Sequence, residues 1–131
     1  MSRKINFAIW GVWSGRYVFE ILIDGSIACG KAARISYDNE SWQKFCEAQG
    51  IVIEVSEAWL KELDALEIFS WEKEYDRLPE YLDADISWRL TFDDNGKIYR
   101  GRGINTAHKN WSRLMDWLGE IFKEEDRWLN I

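Results

Sequence analysis

With 131 residues, 47% hydrophobic and 31% charged, the chain has the size and composition of one soluble globular domain, large enough to build a core without disulfides or a structural metal. Its formal net charge of −6 argues against a protein devoted to polyanions. No stretch reaches membrane-spanning length, and Met1-Ser2-Arg3-Lys4 runs straight into an apolar segment interrupted by Asn6, too short for a signal peptide. A single domain over 1–131, cytoplasmic and without a membrane partner, is the expectation. Cys29 and Cys46 stand at no metal-binding spacing and are expected as small buried hydrophobes in a reducing compartment.

Ile5, Phe7 and Ile9 alternate with Asn6, Ala8 and Trp10, which predicts a first strand with apolar residues on both sides. Residues 17–23 predict a second strand, and Asp24-Gly25 a hairpin into a third over 26–31. Phe19, Ile21 and Ile23 then share a face with Ala28 and Gly30. The polar cluster at 36–40 precedes Trp42, Phe45, Cys46 and Gln49 at helical spacing, ended by Gly50. Residues 51–55 are a short strand or an extended connector.

Ser56 is placed to cap the next helix, with Val55 and Leu60 at staple spacing. Trp59, Leu60, Leu63 and Leu66 form its buried edge, and Glu57, Glu62, Asp64 and Glu67 its acidic outer face. Residues 69–82 contain Trp71, Tyr75, Tyr81 and the only proline, Pro79; they read as a short strand or, in preference, a loop whose rings pack back on the sheet.

From 85 to 92, Ile86, Trp88, Leu90 and Phe92 alternate with polar residues, and Asn95-Gly96 reverses the chain into a strand ending at Ile104. Either centring of the turn puts Trp88, Leu90 and Phe92 on one face with Tyr99, Gly101 and Gly103, so large side chains fill space their partners leave empty. Asn110 is a candidate N-cap for a closing helix with an apolar stripe of Trp111, Leu114, Met115, Leu118, Ile121 and Phe122. Residues 123–131 either extend that helix or fold back as an arm. The order hairpin then helix occurs twice, at 17–49 and 86–122. The fold class predicted is α+β: an antiparallel sheet built from two hairpins, with about three helices packed mainly on one face and one sheet face left over.

No constellation for chemistry stands out. His108 is the only histidine and the only base that Cys29 or Cys46 could use, but a lone histidine in a polar loop before a helix is far more often a surface residue. Metal spacing and phosphate-cradle motifs are lacking, and Gly101-Arg102-Gly103 lies within a strand. The charge, by contrast, is sharply partitioned. Residues 54–85 hold eleven carboxylates against three bases, whereas 97–113 hold five Lys and Arg and no acid. Arg100, Arg102, Lys109 and Arg113 interleave with Tyr99 and Trp111, as on single-strand-binding surfaces, but the acidic chain disfavours nucleic acid.

The pattern Trp71-x3-Tyr75, Ser87-Trp88-x-Leu90 and Gly103-x-Asn105 before an aromatic-led helix resembles a group of small uncharacterised bacterial and phage-borne proteins. In that group a Trp-x-Leu strand precedes a Gly-x-Asn-x-x-Pro turn and a closing helix; His108 here stands near the proline. The similarity covers about the C-terminal half and implies an α+β fold without a known activity.

The expected function is a non-enzymatic protein-binding module, of the kind represented by toxin-immunity and other inhibitor proteins, with no cofactor or metal. Glu72, Glu74, Asp76 and Glu80 would steer a basic partner, and Trp71 and Tyr75 would anchor it. Homodimerisation through an uncovered aromatic face is a related expectation. The alternative is an anion or small-ligand site lined by Arg89, Tyr99, Arg100, Arg102, Asn105 and His108.

Overall fold

The computed structural model describes residues 2–11, 15–36, 39–75 and 86–129. Its frame is a mostly antiparallel sheet of strands β1 (Ser2–Gly11), β2 (Gly15–Asp24), β3 (Ile27–Ile35), β4 (Ile51–Glu54), β5 (Glu74–Tyr75), β6 (Ile86–Asp94), β7 (Lys97–Ile104) and β8 (Trp128–Leu129). The order across the sheet is β4-β3-β2-β1-β6-β7-β5, with β8 on the β3 edge. β1 therefore lies at the centre, joining the meander of β1, β2 and β3 to the β6–β7 hairpin. The two short edge strands, β5 and β8, pair parallel to their neighbours.

The β6–β7 turn settles on Asn95-Gly96, both at positive φ (53° and 94°), as a two-residue hairpin turn of the primed type requires. Its register sets Trp88 against Gly103, Leu90 against Gly101 and Phe92 against Tyr99. A Cβ at Gly103 would collide with the Trp88 indole and the Thr106 carbonyl, and one at Gly101 with the Tyr99 ring. These glycines are spaces for rings.

Helices α2 (Glu57–Ala65) and α3 (Trp111–Phe122) cover this inner face. Ser56 caps α2 as its position predicts, its Oγ accepting from Trp59 N–H at 3.1 Å. The helices are joined by a reciprocal tryptophan pair. The Trp59 and Trp117 rings stack at 4.1 Å, and each indole N–H donates to the other's backbone carbonyl, at 3.2 and 2.9 Å. Such stacking adds about 0.5–1.5 kcal/mol beyond the area it buries.

Three differences from expectation, and one choice left open, have physical causes. Trp117 joins Leu114, Leu118, Ile121 and Phe122 in the buried stripe of α3, because that stack gives its polar atom a partner. Asn110 does not cap α3; its amide donates instead to the Leu66 carbonyl at 3.0 Å, tying the start of α3 to the end of α2. The tail folds back, its indole Trp128 donating to the Phe122 carbonyl at 2.7 Å as β8 pairs with β3. Cys46 is exposed and Cys29 half-buried, on an outer surface that is only partly covered.

The helices also do not share one face. Helix α1 (Asn39–Glu47) lies on the opposite side, where Phe45 packs on Val18, Ala33 and Ile35. Strand β3 runs four residues further than its charges suggest, because Lys31 has a task inside. Lys31 is 7% exposed, and its ammonium donates to the carbonyls of Phe45, Cys46 and Ala48 at 2.7, 3.2 and 3.0 Å. It satisfies the orphan carbonyls at the end of α1 and complements the negative end of the helix dipole.

Lys31→Met should therefore cost about 1.5–3 kcal/mol in urea denaturation and speed amide exchange selectively across α1. Gly103→Ala should lose about 1–3 kcal/mol by overpacking. Gly119→Ala, on the open face of α3 where a Cβ meets nothing, should gain about 0.5–1 kcal/mol.

Candidate protein-binding surface

On the outward side, the strand registers arrange side chains in cross-sheet rows. The first row runs Val52, Cys29, Leu22, Lys4, Asp93, Ile98. The second is Lys31, Glu20, Asn6, Thr91, Arg100; the third Ala33, Val18, Ala8, Arg89, Arg102; the fourth Ile35, Arg16, Trp10, Ser87, Ile104. Helix α1 covers the β2–β3 half of these rows. Among the described residues no helix covers the β1, β6 and β7 half.

The consequence is visible in exposure. Among the described residues, the large hydrophobics left exposed are Leu22, Ile27, Val52, Ile98 and Ile104 on the outward side of the sheet, and Trp42 on α1 above it, with Val52 at 69%. All six belong to the same side of the molecule. Val52 and Leu22 flank Cys29 at one edge, while Ile98 and Ile104 stand at the two ends of β7; apolar exposure gathered on one side is a mark of contact sites.

Charge on that half is basic. Arg89 and Arg102 are direct cross-strand neighbours, and Arg100 is the next outward residue on β7. Like charges opposite each other destabilise a sheet. Glu74 relieves one of them, holding Arg102 at 3.0 Å from the β5 edge, and Arg89 lies over the Trp10 ring at 5.9 Å. Among the described residues no carboxylate forms an ion pair with Arg89 or Arg100. A pocket of about 180 Å³ opens between Trp10, Ser87, Arg89, Arg102 and Glu74, and a groove of about 360 Å³ follows the edge of α1 above Asn6 and Ala8.

The sequence-predicted residues divide between the two faces. Trp71 is 4% exposed; its indole donates to the Leu66 carbonyl at 2.8 Å, and its ring stacks on His108 at 4.6 Å and 10°. It belongs to the interior. Tyr75 is half-buried against Trp88 at 5.8 Å, and its hydroxyl accepts from Glu72 N–H at 2.8 Å. Glu72 and Glu74 are exposed, while Asp76 and Glu80 lie outside the described residues.

Of the alternative set, only Arg89, Arg100 and Arg102 share the outward side. Tyr99 is buried on the inner face, donating to the Glu72 carbonyl at 2.6 Å, and burial pushes its hydroxyl pKa up, so it remains a donor at neutral pH. Asn105, at φ 58°, closes the far end of the hairpin: its Oδ1 accepts from Ile86 N–H at 2.9 Å and its N–H donates to the Ile86 carbonyl at 2.7 Å. His108 sits behind Trp71. These six residues do not form one site.

Sequence inspection missed Leu22, Val52, Ile98 and Ile104. The available signal was parity: each is an apolar residue at an outward-facing strand position. Among the described residues no group of His, Cys, Asp and Glu could hold a metal ion, and no helix is long and apolar enough to cross a membrane. No protein-family model matches the chain, and no curated protein is similar to it.

His108 generates a pH prediction. Its Nδ1 accepts from Asn110 N–H at 3.0 Å, so that nitrogen is unprotonated in the fold. Burial, then Lys109, lower its pKa below 6.5 against the opposing pull of Glu67 and Glu72. The unfolded chain thus binds the proton more readily, and stability is fully present above the ordinary histidine pKa and lost as pH falls below it. The urea midpoint should drop between about pH 7.5 and pH 5.5, and His108→Phe should flatten that slope while keeping a ring against Trp71.

Proposed function

We propose that the chain is a non-enzymatic protein-binding module, of inhibitor or immunity type, whose contact surface is the outward side of the sheet. The observation that carries this is that, among the described residues, all six exposed large hydrophobics lie on that side, half of it without helical cover. A stable protein contact removes about 600–1,000 Å² from each partner, an area that a half-covered sheet face of five strands can supply. Apolar residues at Leu22, Val52, Ile98 and Ile104 would provide the dry contact, with charge between them setting orientation. The exposed carboxylates Glu72 and Glu74 border this side at the β5 edge and belong to its rim.

Affinity capture from an extract of the host cell, with wild type and a Leu22→Glu/Ile98→Glu variant as parallel baits, tests this. Both substituted positions are already solvent-exposed, so the variant should melt within a few degrees of wild type. A protein retained by wild type and lost by the folded variant is the expected result. Identical protein profiles from the two baits would sink the proposal.

A further inference from the structure

The uncovered half of the outward side has a shape as well as a charge. Its floor on β1 is made by Asn6 and Ala8, and on β6 by Ser87 and Thr91, all small side chains. One wall is α1, presenting Trp42 and Cys46 to the groove above the buried Phe45. The other is formed by the long side chains of Arg89, Arg100 and Arg102, with Lys73 beside them and Lys4 at one end. A low floor between an apolar wall and a cationic wall fits a rod with one apolar edge and one acidic edge.

We infer that the partner seats an amphipathic, carboxylate-rich helix beside α1, over the outward faces of β1, β6 and β7; this rests on the proposed protein-binding function and specifies the partner. An added helix would complete on this side the two-helix layer that α2 and α3 make on the other. Small floor residues let a helix backbone approach the strands closely. Its apolar stripe meets Ala8 and Trp42. Its Asp and Glu residues meet Arg89, Arg100 and Arg102, whose planar guanidinium groups take carboxylates in paired hydrogen bonds.

The charges facing this groove weigh the same way. Glu20 is 3.9 Å from Lys4, Asp93 is the cross-strand neighbour of Lys4, and Glu74 holds Arg102. Those three acids are each placed beside a base, so among the described residues no carboxylate is paired with Arg89 or Arg100. The like-charged rung of Arg89 and Arg102 costs stability in the free chain, and a partner's carboxylates remove that repulsion on binding. Single-stranded nucleic acid would meet the same cations, but Trp10 lies under Arg89 and Trp42 under Arg16 at 5.2 Å, so cations already occupy these ring faces.

The test titrates full-length protein, isotopically labelled for NMR, with a designed amphipathic peptide whose Leu stripe is flanked by Glu. Controls are the same peptide with Lys for Glu, the Glu peptide with its stripe scrambled, and a single-stranded oligonucleotide. The Glu peptide should shift amides of β1, β6 and β7 and the indoles of Trp10 and Trp42, with affinity falling as salt rises. Arg89→Glu/Arg100→Glu, at unchanged fold by circular dichroism, should weaken it by roughly tenfold or more.

No binding by the Glu peptide overturns the inference, as does equal binding by the Lys or scrambled peptide. Tighter binding of the oligonucleotide, lost in the same variant, would assign the surface to nucleic acid; peptide-independent self-association mapped to these strands would assign it to a second copy. Failure of the Glu peptide while Leu22→Glu/Ile98→Glu still abolishes capture of a protein partner removes this inference alone. Failure of both removes the protein-binding function beneath it.

Discussion

Trp88 needs a place where no neighbouring strand has a side chain, and the fold is arranged to provide one. The residue is fully buried, faces Gly103 across the hairpin, and gives its indole proton to the Thr106 carbonyl at 2.8 Å. Around it stand Trp71, Tyr75 and Trp111, with ring centres 5.3–6.3 Å away. Those contacts join β6, β7, β5, the loop before α3 and α3 itself. Because the ring is rigid and its one polar atom has a partner, it constrains all of these elements together without leaving an unpaired donor in the interior. The other buried indoles follow the same rule, with Trp59, Trp71 and Trp117 each donating to a backbone carbonyl.

Once the tryptophans commit α2 and α3 to the inner side, the outward side receives what is left. Helix α1 is three turns at most, and its hold there depends on one charged residue, Lys31, gripping its last carbonyls from below. A lysine there gives the short helix a fixed end as well as a buried edge. The half of the sheet beyond its reach keeps Ile98, Ile104 and the arginines in contact with solvent. Asymmetric cover is thus a direct outcome of where the large rings and the single buried ammonium sit.

The hairpin was legible because its signals are local and agree: alternation over 86–92, an Asn-Gly turn and glycines opposite rings. Ser56 was legible for the same reason, as a cap followed by an apolar run. Helix α1 was legible as a helix, but amphipathicity gives a helix one apolar edge without saying which side of the sheet will receive it. Asn110 was misread because its task is long-range in space, an asparagine before a helix looking like a cap, and the role of Lys31 left no local signal for the same reason. The mixed face of the alternative ligand set has a similar origin. Tyr99 and Arg100 are adjacent in sequence, yet alternation along a strand sends them to opposite sides.

The arginine rung is the point where local and global demands disagree most. Placing Arg89 opposite Arg102 works against the sheet, and nothing in the core requires it, since both point outward. Among the described residues only Arg102 has a carboxylate partner, Glu74, and that residue stands on a two-residue edge strand. Folded proteins concentrate such local conflicts where a surface has work beyond stability. Meanwhile α2 and the turn after it carry Glu57, Glu62, Asp64 and Glu67 on the opposite surface, so among the described residues the α2 side is acidic and the bare strands β1, β6 and β7 are basic. That polarity would turn an approaching acidic partner toward the side where the apolar residues are already exposed, which places orientation and contact on the same face.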